Sequence, residues 1–385
     1  MVRFNLFQGL VLTAALICAG CADETGNAQK EIGEVKKTLT SQVVVDALDG
    51  ATNVAQLTIE SSLQSQVTSI LNRWADTNHT GIGWAVVMSV SDGAVLAMAD
   101  CGVKDTASRP LAVKKTFEPG HTVSPFAVAV AFNEGIATPN TMISTEEEGE
   151  KYVGIRSDKE LFKVSQMSVK EALPRSVNSV IGKIGQDLGD KVYGGLASFG
   201  LSKETLVDFG LFDVEGVGGL NLSKMKGDKE FQSRVSMGQG FHVSAMQLAR
   251  AYLILANQGR WAEPCLERIG EKAASRQVVD SRAATVVCGV LEINEKSTGK
   301  KAIVSGVKIA GKTGTCNCLG ENMQYERDSF TASFAGFFPA DKPTHIVVVG
   351  YETKRIPNGN LDYFGGERPA KAFAEIVKAV YHGKK

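Results

Sequence analysis

The sequence predicts an α+β fold: an antiparallel sheet of about five strands flanked by helices, with a mainly helical subdomain inserted into it. Three observations carry this. Two short apolar runs at residues 83–90 and 94–99 are joined by Ser91-Asp92-Gly93, which is hairpin chemistry. Three more strand-like runs follow far downstream, at 308–315, 329–338 and 344–352, linked by polar Gly- or Pro-containing loops. Between the two groups, residues 117–300 read mainly as helices. The sheet is therefore built from distant parts of the chain, and the helical region is an insertion within one compound domain.

The elements follow in order. Residues 1–20 have the form of a secretory signal: Arg3, then a short apolar core (Leu10, Val11, Leu12, Ala14, Ala15, Leu16, Ile17) too short to span a bilayer. It ends in Cys18-Ala19-Gly20-Cys21, small residues before a cysteine, so Cys21 is the candidate lipidation site. The alternative is an ordinary cleavage site with Cys21 merely nearby. Residues 21–55 read as a polar tether and lead-in, and 56–385 as the folded domain, with its insertion at about 117–300. Residues 62–76 place Leu63, Val67, Ile70, Leu71 and Trp74 at helical spacing. Within the insertion, 125–132, 169–188, 244–257 and 281–293 are the clearest helices, and 194–219 is Gly-rich and irregular. Residues 368–381 close the chain as an amphipathic helix, with Ala372, Phe373, Ile376, Val377 and Val380 on one face.

The composition excludes several classes. Of the 385 residues, 43% are hydrophobic and 22% charged, so wholesale disorder is ruled out. Lys+Arg and Asp+Glu are both 42, which argues against nucleic acid as a partner. Five His and seven Cys are few and scattered, and no metal or cofactor is expected. Cys316-Asn317-Cys318 lacks the usual zinc spacing. Export would put Cys101, Cys265, Cys288, Cys316 and Cys318 in a disulfide-permissive compartment, and their odd number leaves at least one free or paired outside the chain.

The sharpest chemical signal is Lys312-Thr313-Gly314-Thr315 on a predicted strand. A Lys there offers a point charge to a carboxylate, and the Thr hydroxyls add directional hydrogen bonds. Gly removes a side chain where another backbone must pass close. In its context, 306–315, this stretch resembles the third active-site motif of penicillin-binding proteins. Further stretches match in the same order along the chain. They are Leu57-Thr58-Ile59-Glu60-Ser61-Ser62-Leu63-Gln64, Ser236-Met237-Gly238-Gln239-Gly240 with Ser244-Ala245-Met246-Gln247-Leu248-Ala249, Ser333-Phe334-Ala335-Gly336-Phe337-Phe338-Pro339-Ala340, and Tyr363-Phe364-Gly365-Gly366. The chain is similar to the transpeptidase domain of class B penicillin-binding proteins from about residue 56 onward.

The resemblance implies roles for particular residues. Lys312 would bind a terminal carboxylate, with Thr313, Gly314 and Thr315 lining the substrate path. Ser176-Val177-Asn178 matches the second motif, in which the Ser relays a proton and the Asn amide orients substrate; an N-capping Ser beside an unrelated Asn fits the same letters. The first motif departs from the pattern. Phe117-Glu118-Pro119-Gly120 leads into His121-Thr122-Val123-Ser124 where the family carries Ser-x-x-Lys, so His121 stands at the nucleophile's position and Ser124 at that of its base. Ser223–Lys226, Ser297–Lys300 and Ser305–Lys308 fit the missing letters but fall in segments that the family uses otherwise. The resemblance thus implies a cell-wall protein that binds a peptidoglycan stem peptide or precursor, with a polytopic cell-wall polymerase as the type of partner, and the Cys21 junction adds the expectation that it is exported and held at the membrane by lipid. The departure at 121–124 implies a non-catalytic, binding or scaffolding role. An active transpeptidase with an unusual nucleophile is the alternative.

Overall fold

The computed structural model describes residues 58–76, 81–103, 110–146, 162–202, 227–266, 275–319, 324–354 and 364–382. The signal-like segment, Cys21 and the tether lie outside the described residues.

Helix α1 (Ser61–Asp76) leads into the hairpin β1 (Gly83–Ser89) and β2 (Val95–Cys101). The short α2 (Leu111–Lys114) and β3 (Thr116–Phe117) follow, then a 3₁₀ turn (Gly120–Val123) and α3 (Ser124–Asn133). The insertion continues with β4 (Met142–Ser144), β5 (Gln166–Ser168), α4 (Val169–Arg175), α5 (Asn178–Leu188), α6 (Lys191–Ser198), α7 (Lys229–Ser236), β6 (Val243–Ser244), α8 (Ala245–Ala256) and α9 (Ser281–Val290). The chain then returns to the sheet as β7 (Ala310–Leu319), β8 (Tyr325–Phe338) and β9 (His345–Lys354), and ends in α10 (Arg368–His382).

The five long strands form one antiparallel sheet in the order β2-β1-β9-β8-β7. β1 pairs with β9 from Gly83↔Tyr351 to Ser89↔His345, so the N-terminal hairpin and the C-terminal strands share one surface. Alternating side chains divide between two apolar layers. Trp84, Val86, Met88, Ile346, Val348 and Phe337 join the helical insertion. Ala85, Val87, Val347, Val349, Phe334 and Tyr351 join Leu63, Val67 and Leu71 of α1 and Phe373, Ile376 and Val377 of α10. Both faces are covered, which explains why these strands read as nearly unbroken apolar runs.

Several expectations are corrected. The single helix expected at 169–188 is two. Pro174 lies in the last turn of α4, and Ser176 caps that turn in the left-handed conformation (φ 56°, ψ 48°). Pro cannot supply an interior amide, and a left-handed residue ends the helical ladder. The Gly-rich segment is partly ordered: α6 runs through Gly194 and Gly195 to Ser198, and the rest of that segment beyond Ser202 lies outside the described residues. β7 starts at Ala310 and continues past Thr315 to Leu319. α9 stops at Val290 rather than 293. The start of α8 is sharply fixed by a capping box, Ser244 Oγ accepting from Gln247 N while Gln247 Oε1 accepts from Ser244 N.

Candidate functional site

β7 is an edge strand of the sheet, and the 3₁₀ turn Gly120–Val123 packs against it. Their approach is close: a Cβ on Gly314 would sit 2.2 Å from Pro119 O, so only glycine fits there. The turn is braced from behind. Thr122, fully buried, donates to Pro119 O at 2.7 Å, and Tyr252 of α8 donates its hydroxyl to Thr122 O at 2.9 Å. Gly120 N donates to Gly238 O, and Gly238 (φ +77°) has Gly120 O only 2.1 Å from where a Cβ would stand. Glu118 Oε1 accepts from Gly240 N at 2.8 Å and from the Tyr325 hydroxyl at 2.6 Å. The Ser236–Gly240 stretch thus serves as the bed of the turn.

On that turn, His121 and Ser124 are in contact. His121 Nε2 lies 2.7 Å from Asn178 Oδ1, at the start of α5, and Nδ1 lies 2.9 Å from Ser124 Oγ. An amide oxygen only accepts, so Nε2 carries the proton, and Nδ1 accepts from the Ser124 hydroxyl. Burial pushes the imidazole pKa down to about 3; the Lys312 ammonium acts the same way, and the bond to Asn178 opposes both. His121 is neutral throughout the physiological range. Ser124 is fully buried, beside Phe126, whose ring meets Phe199 and Tyr252.

Across the groove stands Lys312, 1% exposed. Its ammonium donates to Ser176 Oγ and to Thr313 O, and no carboxylate lies within ion-pair distance among the described residues. Burial alone lowers its pKa to about 7. A buried cation without a counter-ion favours an anion that brings one. Thr313 and Thr315 point to the other side of β7. Thr313 Oγ1 meets Thr298 Oγ1 at 2.7 Å, and Thr298 is bound in turn to Pro174 O. Thr315 Oγ1 accepts from Gly365 N at 3.0 Å, leaving its own O–H to donate.

The structure therefore brings His121, Ser124, Ser176, Asn178 and Lys312 to one groove, with Gly314 at its floor. Thr298 and Gly365 were missed by sequence reasoning. Thr298 carries no motif, and Gly365 was visible only as part of the Tyr363–Gly366 match. Two of the three alternative Ser-x-x-Lys matches have residues engaged elsewhere. Ser297 Oγ is taken by Asn294 N, Lys308 pairs with Glu292, and Ser223–Lys226 lies outside the described residues. Cys316, behind Gly120, and Cys288 are buried thiols whose pKa burial pushes up, not members of disulfides.

A family model described as the penicillin binding protein transpeptidase domain matches residues 83–378 of this chain. The chain belongs to that family. Its transpeptidase-type domain is similar to the peptidoglycan D,D-transpeptidase FtsI of Escherichia coli strain K12, 26% identical over 361 residues, covering 90% of this chain and 59% of the relative. The stage V sporulation protein D of Bacillus subtilis strain 168 is also 26% identical, over 350 residues, covering 84% and 52%. The chain thus spans less than two thirds of the length of these relatives. In fold, it superposes on the apo transpeptidase domain of Burkholderia pseudomallei penicillin-binding protein 3 with a TM-score of 0.75 at 24% identity, covering 87% of this chain and 98% of that one.

Proposed function

We propose that this protein is a lipid-anchored, exported member of the penicillin-binding-protein family that works in peptidoglycan synthesis by binding or scaffolding rather than by transpeptidation. The observation that carries the reading is the closed corner at His121. The residue at the nucleophile's position is a neutral imidazole with a partner on each ring nitrogen, and its companion Ser124 is buried. The opposite wall still offers Lys312, with no counter-ion among the described residues, to the terminal carboxylate of a stem peptide or precursor. Acylation needs an accessible hydroxyl with a base beside it; here the corner is filled. The similarity to peptidoglycan D,D-transpeptidases supports the cell wall as the setting.

One observation favours the alternative, an active transpeptidase with an unusual nucleophile: Ser124–His121–Asn178 has the hydrogen-bond connectivity of a nucleophile, base and orienting amide. The burial of Ser124 weighs against it. The test is intact-protein mass spectrometry after incubation with excess labelled penicillin. The wild type is expected to take up no drug. The double variant His121→Ser, Ser124→Lys, which restores the family letters, is expected to take up one. A one-drug adduct on the wild type, mapped to His121, Thr122 or Ser124, would overturn the non-catalytic reading. Anchoring has its own test: Cys21→Ala should release the protein from membranes and abolish lipid labelling, and retention on membranes without loss of label would exclude acylation of Cys21.

A further inference from the structure

The serine in contact with a lysine in this groove is Ser176, not a residue of the first motif. Its backbone is held in the left-handed region between α4 and α5, a conformation that costs a non-glycine residue energy and turns its side chain out at a sharp corner. The residue is half-buried, and its Oγ receives the Lys312 ammonium and lies 3.4 Å from Thr298 Oγ1. Directly after it, α5 begins at Asn178, and Val177 at the cap makes no side-chain cap bond. The Asn178 amide, which opens that helix, faces the same corner as a backbone donor for a developing oxyanion. A strained serine, a buried amine on its oxygen and a helix N-terminus beside it are the parts of a serine–lysine acyl-transfer site.

We propose that Ser176 is a nucleophile and Lys312 its base, and that this pair accepts acyl groups from small uncharged esters. In the step, the Lys312 amine takes the Ser176 hydroxyl proton as Oγ bonds to the ester carbonyl carbon. The bond from that carbon to the leaving alkoxide oxygen breaks, and the alkoxide takes the proton from Lys312. Water then attacks the acyl carbon as Lys312 takes its proton; the carbon–Oγ bond breaks, Ser176 Oγ takes that proton from Lys312, and a carboxylic acid leaves. The uncharged requirement follows from the groove: a carboxylate-bearing ligand seated on Lys312 holds the amine as ammonium and removes the base. This separates the site from the stem-peptide binding proposed above, and it does not rest on that reading. The Lys312 amine contacts Ser176 Oγ and Thr313 O, and the titratable group that feels its charge is the His121 imidazole. None carries charge near neutrality, so the amine titrates on its own, near pH 7.

The experiment is timed incubation of the full chain with 4-nitrophenyl acetate, with intact mass and peptide mapping as readouts. One acetyl group on Ser176 is expected. Its rate of appearance should rise about tenfold between about pH 6 and about pH 8.5, as the Lys312 amine loses its proton. Ser176→Ala should abolish it, Ser176→Cys should restore labelling at position 176, and Ser297→Ala should leave it unchanged. Added acetate should slow it by competing for Lys312. An acetyl group found only at other residues, an unchanged rate in Ser176→Ala, or a rate flat across that pH range would overturn the proposal. The penicillin experiment reads residues 121–124, so either result can fail without the other.

Discussion

On one side of the groove, His121 has a partner on each ring nitrogen, Thr122 is tied to Pro119, and Ser124 is sealed against the core. On the other, Lys312 is a buried cation whose contacts are a hydroxyl and a carbonyl. On the first wall, His121, Thr122 and Ser124 are bonded within the protein; on the second, the Lys312 charge has no carboxylate partner among the described residues. A buried ammonium without a carboxylate lowers stability, whereas a satisfied histidine is cheap to hold. The difference teaches that His121 and Ser124 can hold the turn's shape by satisfying each other. Among the described residues, the charge on the opposite wall is the part left for a ligand to complete.

The largest expected effect tests whether the closed wall is anchored in the core. Phe126→Ala, under the 3₁₀ turn, should lower unfolding free energy by about 3–5 kcal/mol, read by urea unfolding, while leaving the titration of Lys312 unmoved. Next is the open wall. Lys312→Met should raise stability by about 1–4 kcal/mol near pH 6. The sign follows from linkage: the folded pKa, about 7, lies below the ordinary lysine value, so the folded state binds fewer protons between the two. The cost of Lys312 is therefore fully present below pH 7 and fades as pH rises toward 10.5, and the variant's advantage should vanish there. An advantage that is the same at all pH values would mean that charge is not the cause. Ser124→Ala removes the donor to His121 Nδ1 and should cost about 1–3 kcal/mol. The smallest effect is a control outside the groove: Lys183→Ala, breaking the exposed pair with Asp187, should change stability by only about 0.3–0.5 kcal/mol.

The acid limb offers an independent check on the closed wall. The folded pKa of His121 is about 3 against an ordinary 6.5, so the folded state again binds fewer protons, and stability should fall as pH drops from 6.5 toward 3. In His121→Gln that part of the acid sensitivity should be missing from a pH series of thermal melts.

The strands and the two helices packed behind them were legible because their apolar pattern is a direct record of burial on a covered sheet. The expected start of β1 at residue 83 and end of β8 at 338 coincide with the structure. The groove was legible only through its motifs, since nothing in the periodicity brings residues 121, 176 and 312 together. What could not be read were local backbone events. Residues 169–188 keep a helical pattern through Ser176, and the left-handed corner there depends on Pro174 and on packing against Thr298, a long-range contact. The same holds for the partners of His121: spacing placed Ser124 one turn away, but the bond to Asn178 joins segments 57 residues apart.

The pairing of β1 with β9 also constrains how this chain comes to its native state. The central strands of the sheet come from opposite ends of the folded sequence, and Tyr351 donates to Leu71 O across 280 residues. Contacts of such separation carry the loop-closure penalty before any reward arrives, so the sheet forms late and slowly. A chain emerging N-terminus first presents the β1–β2 hairpin with an unpaired edge and an apolar face until the residues of β9 follow. The helical insertion can collapse on its own local contacts in the meantime, but the groove cannot, because its edge strand belongs to the last part to arrive. Any C-terminal truncation that removes β9 is therefore expected to yield an aggregating chain rather than a smaller folded one.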